Sequence, residues 1–213
     1  MSSVLLLGAT GLVGGECLKL LLADAGFSPV RVLVRRPLSA SIASGKLEVH
    51  VIDLERLDAQ PALLSVDQVF CALGTTIRQA GSQERFRAVD YAIPLAAARL
   101  ARQQGARHFL LVSSLGASRR SRVFYSRVKG ELEAAVLGLG FGSVTIVRPS
   151  LLLGDRAEFR LGEEIFKRLA FLPLGRYRPV HARDVAAALV RAAKRDEEGA
   201  RIIESADIGG TRP

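Results

Sequence analysis

Tyr125 and Lys129 stand four residues apart in "YSRVKGELE", downstream of Ser113 and Ser114, which close the apolar run "FLLVSS". On a helix that spacing puts both side chains on one face, about 6 Å apart along the axis. A phenol with an ordinary pKa of about 10 is a poor acid–base group at neutral pH, and a neighbouring ammonium favours its phenolate. Ser114 could hydrogen-bond a carbonyl or hydroxyl while Tyr125 transfers the proton. A tyrosine–lysine pair on a helix also arises by chance, so the rest of the chain must decide.

The second group of candidate residues lies at the start. "LLLGATGLVG" sets Gly8, Gly11 and Gly14 at three-residue intervals directly after the first apolar run. Gly8 permits a sharp exit from a strand, and Gly11 lets backbone approach a pyrophosphate with no Cβ in the way. Gly14 lets the first helix pack closely on the sheet. The helix N-terminus then offers unpaired N–H groups to phosphates. A glycine turn without a ligand is the competing reading, but the strand–glycine–helix order favours dinucleotide binding.

The second strand, "RVLVRRP", bears on which dinucleotide. An NAD-selective site carries an acidic residue near that strand end for the ribose 2′-hydroxyl. Here stand Arg35 and Arg36, whose guanidinium groups match a phosphate. NADP(H) is therefore expected, with NAD(H) as the alternative cofactor; two solvated arginines would be the plain reading. Asp53, followed by Leu54, could accept from an adenine amino group or simply cap a turn. "CALGTT" places Leu73, Gly74 and Thr75 after the fourth strand, at the ligand-binding edge.

These residues need a frame to bring them together. Apolar runs read as strands at Val4–Leu7, Val30–Val34, Leu47–Ile52, Gln68–Ala72, His108–Ser113 and Val144–Val147. Helical periodicity is clearest at Val13–Leu22, Glu84–Gln103, Ser126–Leu137 and Asp184–Lys194. The alternation predicts an α/β fold: a doubly wound parallel sheet of Rossmann type in three α/β/α layers. Residues 1–213 are read as a single domain, with 151–181 a small substrate-side excursion forming a C-terminal lid or a structural detour. Arg156 and His181, the latter ahead of a helix N-cap expected at Asp184, are the polar groups that could reach a substrate or serve as structural hydrogen-bonding residues.

Composition removes other classes. The 49% hydrophobic and 24% charged content belongs to a globular chain, and a domain of 213 residues buries roughly 70% of its unfolded surface. The formal net charge is +9, but the arginines are scattered apart from "SRRSR" and lack interleaved aromatics, which speaks against nucleic acid. No apolar run reaches the roughly 18 residues of a membrane span, and no leader pattern opens the chain. No membrane association and a cytoplasmic location are therefore expected. Cys17 and Cys71 read as reduced core thiols, and the three histidines lack metal-ligand spacing, so no metal is expected. The apolar face around Phe86–Leu100 would suit a homodimer interface as well as a core.

Taken together, "LLLGATGLVGG", "CALGTT", "HFLLVSSLGA", "YSRVKGELE", "VRPSLLLGDR" and "PVHARDVAAAL" resemble the short-chain dehydrogenases/reductases in their atypical branch. The likeness spans nearly the whole sequence and is nearest the bacterial relatives of the Tat-interacting-protein oxidoreductases. It implies NAD(P) held at Gly8, Thr10, Gly11, Leu12, Val13 and Gly14, at Arg35–Arg36 and at Asp53–Leu54. It implies Ser114, Tyr125 and Lys129 as the catalytic trio, Tyr125 and Lys129 also as cofactor-binding residues with Lys129 on the ribose, and Pro149 and Ser150 beside the nicotinamide. Two departures stand out. Asp90 lies near where many members have an asparagine that completes an active-site tetrad, and the Ser114-to-Tyr125 interval is short. The long C-terminal substrate domain of nucleotide-sugar epimerases has no counterpart, which speaks against a large nucleotide-sugar substrate. The expected function is NADP(H)-dependent hydride transfer to or from a small carbonyl or alcohol. The alternative is a non-catalytic NADP(H)-binding regulatory or interaction protein.

Overall fold

The computed structural model describes residues 1–38, 44–153 and 179–209. Seven strands, β1 (Ser2–Leu7), β2 (Phe27–Val34), β3 (Leu47–Val51), β4 (Gln68–Cys71), β5 (His108–Val112), β6 (Ser143–Arg148) and β9 (Gly199–Glu204), form one sheet. Two short strands, β7 (Leu152–Leu153) and β8 (Val180–His181), pair separately. The order in the main sheet is β3-β2-β1-β4-β5-β6-β9, and every pairing is parallel. Strand order therefore reverses between β1 and β4, the switch point at whose C-terminal strand ends sheets of this kind hold their ligand crevice.

Both faces of the sheet are covered, which is why β1 reads as an unbroken apolar run. Val4 and Leu6 point into a cluster with helices α1 (Leu12–Ala23) and α6 (Ala182–Arg195). Leu5 and Leu7 point into the opposite cluster, built with α4 (Ile93–Gln103) and α5 (Phe124–Leu137). All four side chains are 0% exposed. At roughly 1.5–3 kcal/mol for burying each large aliphatic side chain, this strand is a principal anchor of the sheet.

The observed elements correct the sequence reading in three places. The strand β9 escaped it, because "GARIIE" is an edge strand whose first four residues are exposed and carry no buried alternation. The stretch read as one helix over Glu84–Gln103 is α3 (Gln83–Arg87), a π-helical turn at Ala88–Ala92, then α4; the short α2 (Ile77–Ala80) precedes them. His181, not Asp184, is the N-cap of α6, and Asp184 stands in its first turn. Phe86, Ile93, Leu95, Ala97, Ala98 and Ala101 are buried within the chain's own core. Cys17 and Cys71 are free and buried, and burial pushes their thiols up to about 12 and about 11. Among the described residues no helix is long and apolar enough to cross a membrane.

Candidate functional site

The crevice begins with the glycine turn. Gly8 leaves β1 with φ +85°, and a Cβ there would lie 2.4 Å from the carbonyl oxygen of Ala72, where β4 ends. A Cβ on Gly14 would fall 2.0 Å from the Gly8 carbonyl oxygen, so this glycine packs α1 against the turn itself more than against the sheet. Gly11 is the N-cap of α1 and supplies no side-chain cap, and the first turn holds no acidic residue. The helix therefore presents its unpaired N–H groups and partial positive charge to the crevice. Thr10 is exposed beside it, Leu12 is half-buried, and Val13 is buried.

Arg35 and Arg36 follow β2, the neighbour of β1, and both are exposed. Neither has a hydrogen-bond or ion-pair partner among the described residues. Asp53 follows β3 and caps the next turn, its Oδ1 accepting from the N–H of Glu55 at 2.9 Å; Leu54 is buried. The cap half of the reading for Asp53 thus holds, and its exposed carboxylate keeps a second oxygen.

On the other side of the crevice, α5 and the π-helical turn meet the exit of β4. Lys129 is 4% exposed, and its ammonium lies 2.7 Å from Oδ1 of Asp90, itself 0% exposed. The other Asp90 oxygen accepts from the backbone N–H of Thr75 at 2.8 Å. Gly74 sits directly above the pair, since a Cβ there would stand 3.5 Å from Asp90 Oδ1 and 3.7 Å from Lys129 Nζ. Burial alone would lower the pKa of Lys129. Asp90, and after it Tyr125, outweigh burial and raise it, so the amine stays charged. Tyr125, one turn earlier, is half-buried with its ring 5.5 Å from that of Phe86.

Ser114 follows β5 and is half-buried, and among the described residues its hydroxyl makes one long contact, 3.4 Å, to the Leu115 carbonyl. The next N–H, of Leu115, donates to the carbonyl of Pro149 at 2.8 Å, which joins the Ser114 segment to Pro149–Ser150. His181 is exposed at the end of β8. Arg156 and most of the 151–181 excursion lie outside the described residues.

Sequence reasoning missed one further cluster here. Glu133 and Arg148 form a bidentate pair, with Nε to Oε1 at 3.0 Å and Nη2 to Oε2 at 2.6 Å. Ser113 donates to Glu133 at 2.5 Å, and Arg148 reaches Glu204 at 2.8 Å. The hydrogen bond to Glu133 comes first in holding the Arg148 guanidinium above the ordinary arginine pKa. The i, i+4, i+8 series Tyr125, Lys129, Glu133 was the signal available in the sequence.

The residues fit a dinucleotide: an uncapped helix start beside glycines, free cations after β2, and a charged lysine at the opposite rim. The comparisons agree. The model of a family described as NAD(P)H-binding matches residues 8–196. Protein HTATIP2 of Rattus norvegicus is 42% identical over 168 residues, covering 78% of this chain and 69% of its own length. The mitochondrial protein FMP52 of Candida albicans is 35% identical over 196 residues, covering 86% and 84%. MoeE5, solved in complex with UDP-glucose and NAD, superposes with a TM-score of 0.73 at 20% identity, covering 94% of this chain and 74% of its own. That last likeness is one of fold. The expectation of a cytoplasmic location is withdrawn, because the Candida protein and other fungal relatives are named as mitochondrial. With a Rossmann-type sheet, a glycine turn at its switch point and a family match over most of its length, this chain belongs to the NAD(P)H-binding family.

Proposed function

We propose that the chain is an NADP(H)-dependent oxidoreductase of the atypical short-chain dehydrogenase/reductase type, acting on a small carbonyl or alcohol. In this reading the turn from Gly8 to Gly14 holds the pyrophosphate, Arg35 and Arg36 pair with the 2′-phosphate, and Asp53–Leu54 flank the adenine. Leu73, Gly74, Thr75, Pro149 and Ser150 line the remainder. The bound nicotinamide supplies or accepts the hydride. In the reducing direction Tyr125 gives its phenolic proton to the substrate oxygen, and Ser114 donates a hydrogen bond to that same oxygen. Lys129 stabilises the phenolate left behind.

One observation carries the reading: Lys129 is buried yet kept protonated, one helical turn from Tyr125. A buried cation is costly unless it is paired, as Asp90 pairs it here, and the placing of that pair beside a phenol at the ligand edge supports a use for it. A second reading, a regulatory protein that binds NADP(H) without turnover, is favoured by the same pair, because Asp90 offsets the lysine charge. Replacing Tyr125 by Phe separates them. The oxidoreductase reading expects carbonyl-dependent NADPH oxidation to fall about a thousandfold while calorimetric NADPH affinity stays within twofold. No turnover in the wild type across aldehydes and ketones would favour the regulatory protein, and unchanged turnover in the variant would remove Tyr125 from the reaction.

A further inference from the structure

Tyr125, Lys129 and Glu133 succeed one another by single turns on one face of α5. The first two belong to the proposed site, whereas Glu133 points into the protein and is 4% exposed. Among the described residues, every side-chain hydrogen bond it makes ends beside a candidate site residue. Its Oε1 accepts from Ser113 at 2.5 Å, and Ser113 precedes Ser114. Both its oxygens accept from Arg148, which precedes Pro149 and Ser150. Backbone bonds run in parallel: Ser113 N–H to Val147 at 2.8 Å, Leu115 N–H to Pro149 at 2.8 Å, and Ser150 N–H to the Ser205 hydroxyl at 3.1 Å.

A buried ion pair is a weak source of stability, since apolar residues of similar volume often do as well. What it supplies is direction. Two bonds from an arginine fork to the two oxygens of one carboxylate admit few orientations, so the pair fixes a helix against a strand end more narrowly than aliphatic packing would. Here the helix carries Tyr125 and Lys129, and the strand ends carry Ser114 and Pro149–Ser150.

We infer that Glu133 is a positioning residue: clamped between Ser113 and Arg148, it sets the register of α5 against the ends of β5 and β6. Its catalytic consequence rests on the oxidoreductase reading; the clamp itself rests on the contacts.

The test compares wild type, Glu133→Gln and Arg148→Lys in two measurements. Amide hydrogen exchange reads the clamp: exchange at Leu115 and Ser150 is expected to quicken about tenfold or more relative to the amides of β1 once the charged bonds are lost. Steady-state kinetics read its use: kcat is expected to fall about a hundredfold in Glu133→Gln, with KM for NADPH within twofold, because the loss is one of alignment. Arg148→Lys keeps the charge but not the fork and falls between; it carries the test if Glu133→Gln does not fold. Exchange that quickens at Leu115 and Ser150 only in step with β1 would overturn the clamp. A fall in melting temperature with kcat unchanged would overturn the positioning role. Absence of turnover in the wild type would defeat the oxidoreductase reading alone, and the exchange data would still decide the clamp.

Discussion

The two ends of the sheet both bury polar groups, and they do opposite things with them. At the N-terminal end His108 is 1% exposed, with Nδ1 3.0 Å from Asp196 and Nε2 3.0 Å from the hydroxyl of Thr145. Arg107 pairs with the same Asp196. Burial first, and then Arg107, bring the His108 pKa down to about 4, so the ring is neutral at pH 7 and both nitrogens are engaged. A cleft of about 240 Å³ opens beside this cluster, lined by Thr145, Arg195, Glu197 and Arg201, yet Arg201 and Glu197 already pair there. At the C-terminal end capacity is left over. The first turn of α1 lacks a cap, Arg35 and Arg36 lack partners among the described residues, and Lys129 is held charged next to a phenol. Burial of polar groups marks both ends alike, and so does unpartnered charge, since Arg195 beside that cleft has no partner among the described residues. The glycine turn with its uncapped helix start, joined to the Tyr125 and Lys129 helix face, identifies the candidate site.

The contrast can be broken most severely at Gly14. Replacing it by Ala drives a Cβ into the Gly8 carbonyl, where backbone must move because no flexible side chain can yield. The expected result is loss of NADPH binding by calorimetry and a drop of about 3 kcal/mol in urea-unfolding stability. Retained NADPH affinity would mean that the turn does not hold the phosphates.

A smaller effect follows at the partnerless cations. Arg35→Ala combined with Arg36→Ala is expected to weaken NADPH binding about ten- to a hundredfold and to leave NADH within twofold, as loss of charge-assisted bonds to one phosphate requires. Equal weakening of both would assign these arginines a general electrostatic part.

The smallest effect belongs to the N-terminal end. His108 has a pKa of 6.5 before folding shifts it to about 4, so between those values the unfolded chain binds a proton that the folded chain does not. Its contribution to stability is therefore complete above pH 6.5 and declines as pH falls toward about 4. Urea midpoints at pH 7 and pH 5 should differ more in the wild type than in His108→Gln. Equal differences would show that the ring titrates alike in both states.

How much of this was written in the chain depends on whether a contact is local. Apolar runs exposed six strands of the main sheet and its parallel arrangement, because each strand is buried on both faces or lies beside one that is. The strand β9 was hidden, its outer edge having no partner among the described residues to demand an apolar pattern. The glycine turn and the Tyr125–Lys129 spacing were legible because both are set within one turn of backbone. The engagement of Lys129 by Asp90 was not, because a π-helical turn in what reads as one continuous helix aims the carboxylate inward. Glu133 and Arg148 were quoted in motifs without a role, since only the packing of α5 on β6 brings them together. Asp53 read equally as a cap or a ligand group, and the structure makes it a cap with an oxygen to spare.

The most direct test of the central claim is a calorimetric titration of the purified, nucleotide-free protein with NADPH and with NADH. The unspent donors and cations at the C-terminal end predict one site per chain, with NADPH bound about tenfold or more tighter than NADH. Binding of neither nucleotide would contradict the account at its base, and NADH bound as tightly as NADPH would remove Arg35 and Arg36 from it.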